Sequence, residues 1–194
     1  MKKQFPIILV LFSILIFVGL ILKHEDHLQN SQSIYIELAP VDPRSMLQGD
    51  YMALNYELYL AGLREGNPWD ENRARNKKQE VSERQIQNQS KILSYVQLDA
   101  QRRVIQTSFD QNQLKTNPEN TVRLVLKNPS NQLQNLYPAA NSFLFAEGLE
   151  SCYRNAKYAE LRVKPDGQVL LAGLVDEDLN SLNCESQTNW IKGS

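Results

Sequence analysis

The side chains in this sequence that could carry catalysis or bind a metal are few. The 194 residues include two histidines, His24 and His27, and both belong to a short polar run, Lys23 to His27. Two imidazoles at this spacing, beside Glu25 and Asp26, could hold a metal weakly, but a polar collar next to an apolar segment explains them better. The rest of the chain has no imidazole for a triad or a metal site. We therefore predict no metal and no cofactor.

Other reactive side chains could form catalytic pairs, but their spacing in the sequence does not support any particular pair. Ser45 could act with a lysine such as Lys157 or Lys164, as in membrane-bound peptidases, yet nothing in the sequence selects either lysine. Asp50 and Glu147 could do acid–base work on a sugar, but acidic residues are too common for the pair to be informative. We assign no catalytic residue.

The two cysteines, Cys152 and Cys184, are interpreted as structural, either as a disulfide staple or as two inert thiols. In an oxidising compartment a bond between them would contribute roughly 3 to 4 kcal/mol through loop entropy. A redox or metal role would normally bring a CxxC spacing or nearby histidines. Neither accompanies these cysteines.

The N-terminal region predicts a membrane anchor. Phe5 to Leu22 carries no charge, and as a helix it would be about 27 Å long, close to the thickness of a bilayer core. The lipid bilayer is therefore the first predicted partner. Because the residues around Val18 and Gly19 are large, no cleavage site for a signal peptidase is evident, and we favour an uncleaved signal anchor over a cleaved leader.

Charge around this apolar segment predicts its orientation. Lys2 and Lys3 precede it, whereas Lys23 is followed at once by Glu25 and Asp26. Positive charge favours the cytoplasmic side. We expect a single-pass protein of the bacterial inner (cytoplasmic) membrane, with a cytoplasmic N-terminus and a periplasmic or extracytoplasmic domain in the cell envelope.

Nucleic acid is not a predicted partner. The chain has 21 basic and 22 acidic side chains and a formal net charge of −1. Nucleic-acid-binding domains usually carry a dense basic face, and no dense basic cluster is evident outside the short region Asn76 to Lys78.

Beyond the apolar segment, alternating apolar residues predict a mostly β fold. We expect about seven short strands in one compact antiparallel domain, barrel-like or sandwich-like, that also carries a polar insertion. Met52 to Leu60 gives the clearest strand pattern, and Val41 to Gln48 is expected to be a connecting loop. The division of the chain is an anchor at 1–23, a juxtamembrane linker at 24–33, the β domain at 34–182 with the insertion at 67–90, and a C-terminal tail at 183–194. The remaining strand segments are Ile34–Leu38, Ile92–Leu98, Val104–Phe109, Val122–Leu126, Glu160–Val163 and Gln168–Val175.

One octapeptide, GDYMALNY from Gly49 to Tyr56, stands out from the rest. It resembles the signature of the GDYXXLXY family of bacterial membrane-anchored proteins, with Gly49, Asp50, Tyr51, Leu54 and Tyr56 at the named positions. Downstream segments also look like the family, namely Phe145 to Gly148, Tyr153, Ala156 to Tyr158, Arg162-Val163, Asp166-Gly167 and Leu171 to Leu174. Members of the family are described as uncharacterised, and some lie beside, or are fused to, a polytopic membrane protein. The resemblance thus implies a location, a fold and a possible polytopic partner, and no reaction.

The motif residues have a structural and a functional interpretation. Gly49 can adopt a positive φ and Asp50 can accept hydrogen bonds from turn amides, so the motif would form a structural turn. Alternatively, Asp42, Arg44, Asp50 and Tyr51 could form the rim of a binding site, because loops often carry function.

Three functions compete. A non-enzymatic interaction or accessory module for a polytopic membrane protein is our leading expectation. A periplasmic hydrolase acting on envelope polymer or peptide is the second, and Asp50, Glu147 and Arg44 in one concave pocket would favour it. A small-ligand or sugar-binding module is the third, and Tyr35, Tyr51, Tyr59 and Trp69 on one exposed face would favour that.

Overall fold

The computed structural model describes residues 5–39, 44–46, 49–61, 84, 86–114 and 120–187. It begins with one long helix, α1, Phe5–Asn30. Large apolar side chains of α1 lie exposed, with Phe12 at 64% and Leu15 at 70% of their full accessibility. Among the described residues, α1 alone is long and apolar enough to cross a membrane, which suggests a membrane anchor.

The C-terminal part of α1 occupies most of the segment predicted as a linker at 24–33. Residues 24–30 are helical, and within them the Gln29 amide donates to the Glu25 carboxylate over 2.6 Å, a contact one turn apart. His27 is buried, and its Nε2 lies 3.2 Å from the carbonyl oxygen of Arg162. The polar composition of this segment suggested a linker, but Gln29 bonds along the helix and His27 contacts the domain.

Nine strands follow among the described residues, and they form three antiparallel sheets of three strands each. The first sheet has the order β1-β8-β9, the second β2-β3-β7 and the third β5-β4-β6. The predicted mostly β, antiparallel fold is confirmed, and the described strands form no closed barrel. The strands are β1 Gln32–Glu37, β2 Arg44–Met46, β3 Gly49–Ala53, β4 Lys91–Leu98, β5 Val104–Ser108, β6 Thr121–Lys127, β7 Ser142–Phe145, β8 Tyr158–Val163 and β9 Val169–Val175.

The core lies against the inner faces of these sheets. Ile34 and Ile36 of β1, Leu124 and Leu126 of β6, and Leu161 of β8 are all fully buried. Alternate residues of a strand point to the same face, so the alternation along β1 and β6 places these side chains inside. Full burial of each such side chain contributes roughly 1.5 to 3 kcal/mol.

Bridges and hydrogen bonds outside the ladders join one sheet to the next. Tyr35 of β1 makes a parallel bridge with Arg103 beside β5. The turn between β8 and β9 reaches β6, where the Val125 amide donates to the Gly167 carbonyl over 2.9 Å. Gly167 has a φ of +89°, and a Cβ there would lie 3.2 Å from Val125 Cγ2. The positive φ of the turn therefore favours glycine, and a Cβ would also press on Val125.

The segment from Met52 to Leu60, predicted as the clearest strand, is mostly not a strand. Regular pairing ends at Ala53, and beyond it Tyr56 and Leu60 make only isolated bridges, with Leu38 and Thr107. Tyr59 has a positive φ of 44°, which breaks the extended conformation. The alternating residues still face inward, because Met52, Leu54 and Leu58 are buried.

The segment predicted as a loop, Val41 to Gln48, contains a strand. β2 pairs with β3 in the register Arg44 with Tyr51, Ser45 with Asp50 and Met46 with Gly49, so the two strands form a tight hairpin. Three residues are too few to show an alternating pattern, so no pattern in the sequence indicates β2.

The C-terminal region adds two short helices, α2 at Glu150–Tyr153 and α3 at Cys184–Gln187. The predicted tail at 183–194 therefore begins with helix. Most of the predicted insertion at 67–90 lies outside the described residues. Its described part includes Ile86, which is helical and 1% exposed, so this end of the segment belongs to the core.

Candidate functional site

The first half of the motif lies on the central strand of the second sheet. Asp50 pairs with Ser45 on β2 and with Phe145 on β7. Tyr51 pairs with Arg44 on one side and with Leu144 on the other. The backbone of Asp50 and Tyr51 therefore belongs to a sheet, while Asp42 lies outside the described residues.

The second half of the motif fastens this sheet to the core. Leu54 is 4% exposed, and its amide donates to the carbonyl of Asn141 over 2.9 Å. The Tyr56 hydroxyl donates to the carbonyl of Ala140 over 2.6 Å. Burial raises the pKa of the Tyr56 phenol well above its ordinary value, since the phenolate would be poorly solvated there. Leu54 and Tyr56 thus act as structural anchors.

Aromatic contacts connect the second sheet, β2-β3-β7, to α2. We call this sheet the motif sheet. The rings of Phe143 and Phe145 on β7 lie 5.2 and 4.8 Å from the ring of Tyr153, measured between centroids. The Tyr153 hydroxyl donates to the carboxylate of Glu185. Burial raises the pKa of Tyr153, and the bond to Glu185 raises it further. Glu147 lies in the turn between β7 and α2, where Gly148 has a φ of +87°.

Cys152 and Cys184 form a disulfide with their Cα atoms 5.8 Å apart. Cys184 is fully buried. The bond joins α2 to α3. The hydrogen bond between Tyr153 and Glu185 joins the same two helices, so the disulfide fixes α3 next to the aromatic cluster.

A polar cluster that the sequence did not indicate lies at the end of β1. The Glu37 carboxylate accepts from the Tyr59 hydroxyl and pairs with Lys157 Nζ at 2.8 Å. The hydrogen bond to Glu37, and then its charge, raise the pKa of Lys157. No spacing could have revealed this cluster, because its three members come from distant parts of the chain.

This cluster bears on the serine–lysine pairing considered above. A lysine that serves as a base must be neutral, whereas the raised pKa of Lys157 holds it as a cation. Lys164, the other lysine considered, follows β8 at the opposite end of that strand from Lys157. Among the described residues, no group of three or more histidine, cysteine or acidic side chains could hold a metal ion.

The outer face of the motif sheet carries an unusual apolar residue. Leu144 is 76% exposed, more than any other large apolar side chain described outside α1, and it lies directly opposite Tyr51. Three pockets lined by described residues lie elsewhere, and none of the three includes Asp50 or Glu147. Trp69, considered above for a sugar site, lies outside the described residues.

An apolar helix that runs directly into an antiparallel β domain, with the motif on a hairpin of the second sheet, defines the class of protein. The chain belongs to the GDYXXLXY protein family, whose model matches residues 13–174. That match includes most of the apolar segment, the motif and the downstream segments up to β9. No curated protein and no solved structure matches the chain.

Proposed function

We propose that this chain is a membrane-anchored interaction module that has no catalytic role of its own. α1 would hold it in the bacterial inner membrane with the β domain on the periplasmic or extracytoplasmic side. There the outer face of the motif sheet would bind a polytopic membrane protein. This partner is the kind that the family resemblance implies.

The exposed apolar surface of α1 supports the anchor. Its large apolar side chains from Ile8 to Leu22 are at least 46% exposed, and insertion in a bilayer would remove this apolar area from water. The lysines that precede the span support the orientation.

The exposure of Leu144 is the observation that carries the proposed interaction. Fully burying an exposed leucine side chain contributes roughly 1.5 to 3 kcal/mol, so Leu144, 76% exposed opposite Tyr51, offers most of that to a partner that covers it. Tyrosine, the residue opposite Leu144, is enriched among binding hot spots. The reactive groups nearby serve the fold instead, since Tyr56 and Tyr153 bond internally.

The test is a pull-down of the tagged full-length chain from membranes in mild detergent. A polytopic membrane protein should co-purify with the wild type and be lost from Leu144→Asp. The matched control is Ile105→Asp, which places the same charge at a 47% exposed position on β5 and should retain the partner.

Thermal unfolding of the purified variants shows whether each is folded. Retention of the partner by a folded Leu144→Asp protein would contradict the proposed surface. Loss from both variants would contradict it too, because the effect would not be specific to the motif sheet.

A further inference from the structure

A cavity of about 490 Å³ lies where α1 meets the β domain. Its wall contains four lysines that come from four different parts of the chain. They are Lys23 of α1, Lys91 at the start of β4, Lys127 at the end of β6, and Lys164 after β8. The fold therefore gathers these cations from sequence positions that show no cluster.

The charge in this cavity is unbalanced. Asp166 is the one carboxylate in its wall, and its Oδ1 already accepts from the Gln168 amide over 2.9 Å. The ion pairs formed among the described residues involve none of the four lysines. Since the whole chain has a net charge of −1, this local excess of positive charge is a property of the site and not of the composition.

Two of the lysines are placed where they repel each other. Lys91 and Lys127 are direct partners across the β4–β6 ladder, with Cβ atoms of such partners about 5 Å apart, and like charges so placed are destabilising. Lys127 is held there, because its Nζ donates to the Ala139 carbonyl and lies 5.4 Å from the centre of the Tyr137 ring. An anion between the two ammonium groups would turn repulsion into attraction.

The cavity also lies at a defined depth relative to the predicted membrane. Its wall on α1 runs from Leu20, inside the apolar segment, to His27, a rise of about 10 Å along the helix. The polar headgroup layer on one side of a bilayer is about 5 to 8 Å thick. The cavity would therefore open at the level of the headgroups, with an apolar wall towards the acyl chains.

From these observations we infer that the cavity binds the phosphate of an anionic phospholipid from the surrounding bilayer, with Lys91 and Lys127 as its main ligands. The inference rests on the membrane anchor of the proposed function. A free phosphate ion has the same charge but no apolar group that could contact the apolar wall at Leu20, Val169 and Leu170. Such basic pockets on membrane proteins suit phosphorylated headgroups.

The experiment is native mass spectrometry of the full-length chain, released from detergent micelles that contain equal amounts of phosphatidylglycerol and phosphatidylcholine. The wild type should retain phosphatidylglycerol in preference. Lys91→Gln with Lys127→Gln should lower that preference by about tenfold or more. The control, Arg123→Gln with Arg154→Gln, removes two exposed charges outside the cavity and should keep it.

Three results would overturn the inference. They are equal retention of both lipids by the wild type, an undiminished preference in the double lysine variant, and displacement of the lipid by millimolar inorganic phosphate, which would make the site one for a soluble anion. Carbonate extraction of membranes tests the anchor separately. A wild-type chain released by carbonate would remove the proposed membrane anchor and this inference with it, whereas a retained chain without lipid preference would remove the inference alone.

Discussion

Tyr56 is the motif residue whose side chain has the clearest partner. Its ring packs against the core, and its hydroxyl donates to the Ala140 carbonyl. The contact spans more than eighty residues of chain, so it fixes the end of the motif to the segment that leads into β7. A half-buried hydroxyl that has a hydrogen-bond partner is an arrangement that phenylalanine cannot provide.

Tyr56→Phe is expected to lower the free energy of unfolding by about 1 kcal/mol at neutral pH, because one hydrogen bond is lost and its acceptor is left unpaired. It should also weaken the dependence of stability on alkaline pH. The raised pKa keeps Tyr56 protonated in the folded state, while the unfolded phenol loses its proton near pH 10. The unfolded state then binds fewer protons, so stability falls as the pH rises above about 10.

Urea unfolding followed between pH 7 and pH 11 measures both effects. Tyr153 and Lys157 also have raised pKa values, so the variant should retain part of the alkaline loss. Tyr95→Phe, at a half-buried position of β4, is the matched control and should behave as the wild type. An alkaline slope unchanged by Tyr56→Phe would show that Tyr56 does not contribute to it.

At the scale of the elements, the disulfide is the main constraint on the C-terminal region. It joins α2 to α3 across 32 positions of sequence. Both helices have only four residues, too short to be stable alone. Their positions therefore depend on the disulfide and on the contact between Tyr153 and Glu185.

Replacing both cysteines, Cys152→Ser with Cys184→Ser, is expected to lower the free energy of unfolding by about 3 to 4 kcal/mol on the loop-entropy model. Urea unfolding of the oxidised wild type and of the variant measures the difference. A reductant should destabilise the wild type and leave the variant unchanged. If the reductant shifted both equally, the effect would come from something other than this bond.

Whether an element could be predicted depends on the sequence pattern that it contains. The β8–β9 hairpin was predicted because Asp166-Gly167 marks a tight turn between two alternating segments, and Gly167 indeed has a positive φ. The Met52 to Leu60 pattern was misleading, because alternation reports which side chains face the core and cannot report whether a neighbouring strand is present. β2 was missed because it has three residues.

The candidate sites were less predictable than the strands. The octapeptide identified the family, but the partners of its residues, such as Phe145 and Ala140, lie about ninety residues away in sequence. The lysine cavity was invisible for the same reason, since Lys91 and Lys127 meet only through the β4–β6 register. Long-range pairing of this kind is decided by tertiary packing, so local sequence patterns do not predict it.

At the scale of the whole molecule, the helix and the β domain are connected without a flexible segment. α1 ends at Asn30 and β1 begins at Gln32. His27 is 6% exposed where α1 meets Arg162 of β8. The domain should therefore keep one orientation relative to the membrane, which would present the same faces to the bilayer and to a partner.

His27→Ala is expected to loosen this junction, because it removes the buried ring and its contact with the Arg162 carbonyl while leaving the helix otherwise intact. Spin labels on the oxidised protein, at Glu25→Cys on α1 and Asp178→Cys on the exposed turn after β9, report the distance between helix and domain. The wild type should give one narrow distance distribution, and His27→Ala should broaden it. The neighbouring His24→Ala, at an exposed position of the same helix, is the matched control and should keep the narrow distribution. A broad distribution in the wild type would show that the helix is a loose tether, and the cavity between α1 and the domain would then have no fixed shape.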